Sequence, residues 1–155
     1  MDLTSSEIKP DEAIPSQYTC EGANYSPPLE WKEIPDQAQS LAFILDDPDA
    51  AEGTQSPFTH WVLYNLPADI FGLAEGFRVE RQENWDGMRG RNSFGNLQYE
   101  GPCPPQGETH RYYFRLFALD QRLDLSEGAT RAQLMDAMHE HVLDQAELSS
   151  KFSRP

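Results

Sequence analysis

The chain has 155 residues, which predicts a single domain spanning residues 1–155. Its formal net charge of −14 repels phosphate backbones and anionic lipid headgroups, so we expect neither nucleic-acid binding nor electrostatic docking to a membrane. No apolar run is long enough to span a bilayer and the sequence opens without a basic, apolar leader, so we expect a cytoplasmic protein.

Three runs of branched and aromatic residues predict β-strands, and the prolines and glycines between them predict turns. The run 40–45 is almost continuously apolar, which is typical of a strand covered on both faces, and the run 60–66 is similar. The run 111–119 alternates and places Tyr112 and Phe114 on one face. The body of the protein is therefore expected to consist of short strands.

One helix is predicted, close to the C-terminal end, within residues 130–148. Thr130 and Gln133 have the spacing of a capping box. Apolar residues then recur at three- and four-residue steps, as on one face of a helix: Leu134, Met135, Met138, Val142 and Ala146. His139 and His141 would point to different faces of this helix, so we expect them to be solvated and to share no metal.

The tetrapeptide Asp46-Asp47-Pro48-Asp49 follows directly on the first apolar strand. Carboxylates gathered at a strand end repel one another unless a cation or a hydrogen-bond donor faces them. Asp and Pro are also favoured in turns, so the residues alone fit a polar turn slightly better than a site.

Two histidines stand at the starts of predicted strands. His60 precedes Trp61, and on chemistry alone it fits a satisfied core residue better than a ligand. The loop before His110, with Pro104 and Pro105, is either a stiff connector or a preformed set of backbone N–H groups for an anion. The residues alone leave both interpretations open.

Cys20 and Cys103 lie far apart in sequence and form no Cys-x-x-Cys pair, which excludes zinc-ribbon and thioredoxin-type motifs. In a reducing cytosol we expect them to be free thiols. The sequence leaves open whether they are neighbours in the fold. No local signature supports a thiol–imidazole pair between Cys103 and a histidine.

Taken together, these segments resemble the phosphatidylethanolamine-binding protein family, in its bacterial and archaeal branch of Raf-kinase-inhibitor-like proteins. The first family signature is similar to 47–50, followed by 58–61. The second is similar to 92–95, followed by 101–107 and by 110–112. The likeness runs nearly from end to end of the chain.

The resemblance implies a mainly β fold, a Greek-key antiparallel β-sandwich with short peripheral helices. It also implies a small pocket that takes anions such as phosphate, acetate or a phosphoethanolamine headgroup. The ligand-binding residues implied are Asp47, His60, Cys103, Pro105, His110 and Tyr112. Imidazole and phenol donors suit phosphate oxygens, whereas Asp47 would orient a histidine or meet an ammonium group. The loop 101–107 would form the rim.

Three features depart from the family pattern. Ala51 stands where a proline is common, so the loop after Asp49 is expected to be less rigid, and the segment 52–56 is specific to this chain. Residues 130–148 do not clearly correspond to the long C-terminal helix that borders the site in eukaryotic members. The ligand preference of other members is therefore not carried over.

The expected function is non-enzymatic binding of a small anion or phospho-ligand, without cofactor or metal, in a regulatory role. Homodimers are expected, with Phe71 or Leu73 as exposed apolar groups for an interface. One alternative is a kinase or protease inhibitor that acts through its protein surface and does not need His60 or His110. A second is a phosphoester or ester hydrolase that uses these histidines and Asp47, although the sequence shows no matched nucleophile.

Overall fold

A computed structural model describes residues 1–51 and 56–155 and shows two antiparallel β-sheets. The strands, in chain order, are β1 (Asp2–Thr4), β2 (Leu29–Lys32), β3 (Ser40–Asp47), β4 (Phe58–Leu66), β5 (Gly72–Leu73), β6 (Met88–Arg89), β7 (Thr109–Leu119) and β8 (Val142–Ser153). One α-helix, α1 (Arg131–Met138), and 3-10 turns at Ser16–Tyr18, Asp49–Ala51 and Val79–Arg81 complete the described elements.

The small sheet has the strand order β1-β2-β5, and the large sheet has the order β6-β4-β3-β7-β8. The chain crosses between the two sheets three times, as Greek-key sandwiches do. The predicted β-sandwich is therefore confirmed, and β3, β4 and β7 contain the three predicted strands. None of the helices in the described part of the chain has the length and apolar character needed to cross a bilayer.

Both faces of the central strands β3 and β4 are buried. Alternate residues of β3 pack between the two sheets, among them Phe43, which meets Trp61 of β4 and Phe114 of β7. Ala42 and Ile44, which point to the other face of β3, belong to a second core that includes Leu134 of α1. Because apolar partners lie on both sides, β3 and β4 have no polar face, which explains their continuous apolar runs.

The predicted C-terminal helix is correct at its start and wrong in its length. The Thr130 side chain accepts from the Gln133 N–H, and the Gln133 side chain accepts from the Thr130 N–H, so the capping box is confirmed. However, α1 ends at Met138, Glu140 has a positive φ of 70°, and residues from Val142 onwards form β8.

The strand replaces the helix because β8 pairs with β7 along the whole length of β7. Its second half shows the two-residue period of a strand, since Leu148, Ser150 and Phe152 are buried and the residues between them are less so. His139 and His141 consequently lie in the turn between α1 and β8, where His141 Nδ1 pairs with Asp120 at 2.9 Å.

The two apolar residues suggested for a dimer interface differ in exposure. Phe71 is 81% exposed, whereas Leu73 belongs to β5, is 2% exposed and packs in the core between the sheets. The suggestion that Leu73 is an exposed interface residue is therefore wrong, because strand pairing of β5 with β2 turns its side chain inward. The homodimer itself stays a prediction.

Candidate functional site

The ends of three neighbouring strands, β3, β4 and β7, meet at one end of the large sheet. Because β3 runs antiparallel to both β4 and β7, the last residues of β3 lie beside the first residues of its two neighbours. Asp47 pairs with Phe58 across one ladder, and Asp46 pairs with Tyr113 across the other. This arrangement brings Asp47, His60 and the start of β7 into one cluster.

A β-bulge aims His60 into this cluster. Leu45 pairs with Trp61, but the next residue, Asp46, pairs with Thr59, so His60 is an extra residue in β4. Bulges are frequent beside functional sites because they redirect a side chain. The His60 ring accordingly lies edge-to-face with Tyr112 of β7 at 5.6 Å, on the same face as its neighbour Trp61.

The acidic tetrapeptide is both a turn and part of the cluster. Asp47 Oδ1 accepts from the Ala50 N–H at 3.0 Å, which closes the turn, and Asp49 accepts from the Arg111 N–H at 2.8 Å. Asp46 points to the opposite face of the sheet, where it accepts from Arg131 at 2.9 Å. These donors and the guanidinium relieve the repulsion between the carboxylates.

His110 is bound by two carboxylates. Its Nδ1 donates to Asp47 Oδ2 at 2.7 Å, and its Nε2 lies 3.2 Å from Glu108 Oε1. Burial alone would lower the pKa of His110, but the hydrogen bonds to Asp47 and Glu108 outweigh it and raise this pKa above the ordinary 6.5. The geometry therefore favours an imidazolium that donates from both ring nitrogens.

The surroundings of His60 favour the neutral imidazole, which is the opposite of the preference at His110. Its Nδ1 donates to the carbonyl oxygen of Glu100 at 2.7 Å, which fixes the tautomer and leaves Nε2 with a lone pair. Burial lowers the pKa of His60, although this hydrogen bond opposes the effect. The ring also packs against Phe58 and Phe94 at centroid distances of 5.1 and 5.9 Å.

The loop that carries Phe94 and Glu100 is organised by the buried side chain of Asn92. Asn92 Oδ1 accepts from the backbone N–H groups of Phe94 and Asn96, each at 3.0 Å. Its amide donates to the carbonyl oxygen of Gln98 and to the carboxylate of Glu100, each at 2.8 Å. The loop therefore holds the Phe94 ring and the Glu100 carbonyl oxygen against His60.

The Tyr112 hydroxyl is fully buried and makes no well-formed hydrogen bond among the described residues, although the Asp47 carboxylate lies close enough to interact with it. Burial, followed by the negative charge of Asp47 and its hydrogen-bonding interaction with the hydroxyl, raises the pKa of Tyr112, so the phenol keeps its proton. An unpaired buried hydroxyl costs about 1–3 kcal/mol relative to a paired one. The Tyr112 hydroxyl would therefore gain a favourable hydrogen bond from a ligand oxygen placed beside it.

We expect Tyr112→Phe to leave the free energy of unfolding unchanged or slightly higher, because the hydroxyl it removes makes no well-formed hydrogen bond. Anion affinity should fall about fivefold, the equivalent of one hydrogen bond of about 1 kcal/mol. Tyr99→Phe is the matched control, since the Tyr99 hydroxyl donates to the Tyr18 carbonyl oxygen at 2.7 Å. The control should lose stability in urea unfolding and keep its affinity; the reverse pattern would contradict the assignment.

The expectation that Cys20 and Cys103 are free thiols is wrong, because the two residues form a disulfide with Cα atoms 5.4 Å apart. The Cys20 N–H also donates to the Pro102 carbonyl oxygen at 3.1 Å, so the N-terminal segment and the loop 101–107 are neighbours. Reducing compartments disfavour disulfides. The cytoplasmic location stays a prediction.

The loop 101–107 ends in a turn that positions Glu108. The Glu108 N–H donates to the Pro105 carbonyl oxygen at 3.0 Å, and Gly107 has a φ of 83°, which a residue with a Cβ rarely adopts. The Gly107 N–H is tied to the Arg154 carbonyl oxygen at 2.9 Å. Pro105 is exposed in this turn.

Of the six predicted site residues, the structure brings together Asp47, His60, His110 and Tyr112. Cys103 is exposed and bound to Cys20, and Pro105 acts through the turn before Glu108, so neither has a described contact with the two histidines. The role of all six in ligand binding stays a prediction. Residues 52–55 of the segment 52–56, which was predicted to be specific to this chain, lie outside the described residues.

Two residues that hydrogen-bond to the site histidines, Glu108 and Glu100, were not predicted. Glu108 stands two residues before His110, and the two-residue period of an extended segment could have placed both side chains together. The contact of Glu100 with His60 uses a backbone carbonyl and has no sequence signal. Within the described ranges, no group of His, Cys, Asp and Glu side chains is arranged to hold a metal ion.

The model of the phosphatidylethanolamine-binding protein family matches residues 4–153. A UPF0098 protein of Methanothermobacter thermautotrophicus is 45% identical over 154 residues, which cover 99% of each chain. The UPF0098 protein YbhB of Escherichia coli is 38% identical, with 99% of this chain and 100% of that protein covered.

Solved structures agree with this assignment. A phosphatidylethanolamine-binding protein homologue of Chlamydia trachomatis superposes with a TM-score of 0.89 at 36% identity, covering 99% of this chain and 97% of that one. YbcL of Escherichia coli has the same TM-score at 29% identity, with 99% and 98% covered. A carboxypeptidase Y inhibitor, solved with its cognate proteinase, shares the fold at a TM-score of 0.63 and 17% identity, with coverage of 99% and 83%. The chain belongs to the phosphatidylethanolamine-binding protein family.

Proposed function

We propose that this protein binds a small phospho-anion, such as phosphate or a phosphoethanolamine headgroup, without chemical turnover. The observation that carries the proposal is the buried pairing of His110 with Asp47 beside the Tyr112 hydroxyl, which makes no well-formed hydrogen bond of its own. A charged N–H donor and a weakly engaged O–H donor are suited to the oxygens of a phosphate.

The protonation states favour a particular form of the anion. His110 would donate from Nε2 and Tyr112 from its hydroxyl, whereas neutral His60 offers a lone pair at Nε2. A singly protonated phosphate has both acceptor oxygens and one O–H donor, so it satisfies all three groups. A ligand without that proton would need to protonate His60 against the effect of burial.

Glu108 occupies the position that the anion would need. It lies 3.2 Å from His110 Nε2 and its side chain is more than half exposed, so a ligand could displace it into solvent. Its carboxylate would also repel a bound anion. The affinity of the site is therefore expected to be modest while Glu108 is present.

Glu108→Gln should bind phosphate about fivefold more tightly than the wild type, because it removes the charge of a largely exposed carboxylate that competes for His110, an interaction of about 1 kcal/mol. Isothermal titration of both proteins measures this difference. Glu83→Gln, at an exposed glutamate outside the cluster, is the charge-matched control and should bind like the wild type. Equal or weaker binding by Glu108→Gln would show that Glu108 does not compete with the anion.

The proposal is tested by titrating phosphate and phosphoethanolamine while recording the NMR signals of the histidine rings. Saturable shifts are expected at His60 and His110 in the wild type. In His110→Ala, the shift of the His60 signals should vanish. His141→Ala, which removes an exposed histidine also paired with an aspartate, should leave binding intact. Shifts that survive His110→Ala, or no shifts at millimolar ligand, would overturn the proposal.

We infer a regulatory role for the same site. Phe94 is half exposed and packs against both Phe58 and His60, so a partner protein that contacts Phe94 would sense whether the pocket is filled. A kinase or protease partner remains the expectation for this role. Carboxypeptidase Y inhibitor supports inhibition through the protein surface as the second candidate, since that protein has this fold and was solved with a proteinase. Inhibition that persists after loss of His60 and His110 would favour the second candidate.

A further inference from the structure

A cavity lies apart from the histidine cluster. It has a volume of about 180 Å³. Four aromatic side chains line it: Tyr25, Trp61, Phe77 and Tyr99. An apolar cavity of about 150 Å³ holds a benzene molecule, so this one has room for a ring with two small substituents.

Ser26 is one of the residues that line this cavity, and its hydroxyl is buried behind the cavity surface. The residue is 2% exposed, and its hydroxyl has no hydrogen-bond partner among the described residues. Its carbonyl oxygen accepts from the Gly76 N–H at 2.8 Å, which fixes the serine beside the segment that leads to Arg78. A buried hydroxyl without a partner is unfavourable and is satisfied when a ligand brings a polar group.

Arg78 supplies a positive charge at the opening. Its side chain is about half exposed, and its nearest carboxylate, Glu80, is 3.9 Å away, which is a weak contact. The other guanidinium of the lining, Arg89, is already bound by Glu127 at 2.9 Å and by Glu80 at 3.3 Å. Arg78 is thus the guanidinium in the lining with capacity for a bidentate carboxylate.

We propose that this cavity binds a hydroxylated aromatic monocarboxylate. The ring lies among the four aromatic side chains, the carboxylate pairs with Arg78 at the opening, and the ring hydroxyl bonds to the Ser26 hydroxyl. The cavity is distinct from the proposed phospho-anion site, because its lining contains neither histidine nor Asp47.

The test compares benzoate with 3-hydroxybenzoate and 4-hydroxybenzoate by isothermal titration and by the NMR shift of the Trp61 indole. At least one hydroxybenzoate should bind about fivefold more tightly than benzoate, the gain of one hydrogen bond. Ser26→Ala should abolish this preference and should still fold, since the lost hydroxyl has no partner. A urea melt of Ser26→Ala checks that the fold is intact.

Arg78→Gln should lower the affinity for all three carboxylates about tenfold, as expected for the loss of a charge-assisted hydrogen bond. Arg81→Gln is the matched control, because Arg81 lies three residues further on and outside the lining. Binding should also persist in His110→Ala. Two results of the ligand titrations would overturn the proposal: no saturation at tens of millimolar carboxylate, or a preference for the hydroxybenzoate that survives Ser26→Ala. Equal losses of affinity in Arg78→Gln and Arg81→Gln would also overturn it. So would ligand-induced NMR shifts at His60 that disappear in His110→Ala.

Discussion

Reduction of the Cys20–Cys103 disulfide is expected to lower the free energy of unfolding by about 4 kcal/mol. The bond joins residues 83 positions apart, so it removes a large amount of chain entropy from the unfolded state. Both cysteines are exposed, so a reductant can reach the bond without unfolding the protein. Urea unfolding with and without dithiothreitol measures the effect.

The double variant Cys20→Ser/Cys103→Ser provides the control for reduction. It should unfold at the same urea concentration as the reduced wild type and should not respond to dithiothreitol. Its phosphate affinity should fall less than its stability, because the Gly107 and Pro105 backbone bonds still hold the turn before Glu108. Identical unfolding of oxidised and reduced wild type would show that the bond does not constrain the fold.

Asp47→Asn is expected to reduce affinity for an oxyanion at least tenfold, about 1.4 kcal/mol or more. The substitution keeps the size of the side chain but removes the charge that favours the His110 imidazolium, so the pKa of His110 falls. Titration with phosphate at one fixed pH isolates the effect on the protein, because the charge of the ligand is then the same for both proteins. Asp120→Asn, which alters the exposed pair with His141, is the matched control and should bind normally.

The same pair predicts how stability depends on pH. The folded-state pKa of His110 lies above 6.5, so its protonated form adds stability that is fully present below 6.5. This stability is lost as the pH rises through the raised folded-state pKa. In Asp47→Asn the loss should become smaller and move to lower pH, which urea unfolding at a series of pH values would detect. An unchanged pH profile would contradict the ion pair.

Much of the fold could be predicted because apolar runs report burial directly. The run 40–45 indicated a strand covered on both faces, and β3 is covered by the small sheet on one side and α1 on the other. The length of the helix could not be predicted from its apolar spacing. The residues after Met138 satisfy the periods of both helix and strand, and only long-range pairing with β7 selects the strand.

The site was predicted in part for a similar reason. Family motifs placed Asp47, His60 and His110 in one cluster, and the antiparallel ladders bring them there. The bulge that aims His60, however, depends on register between two strands and leaves no mark in the local sequence. The disulfide likewise depends on two loops meeting in space, since Cys20 and Cys103 are 83 residues apart.

The protonation of His110 is the central claim, and an NMR titration of its ring signals with and without phosphate tests it most directly. We expect a pKa above 6.5 in the free protein and a further rise when phosphate is bound, because the anion favours the imidazolium. The ring of His60 should titrate below 6.5 in the free protein. A His110 pKa at or below 6.5, unmoved by saturating phosphate, would contradict the account.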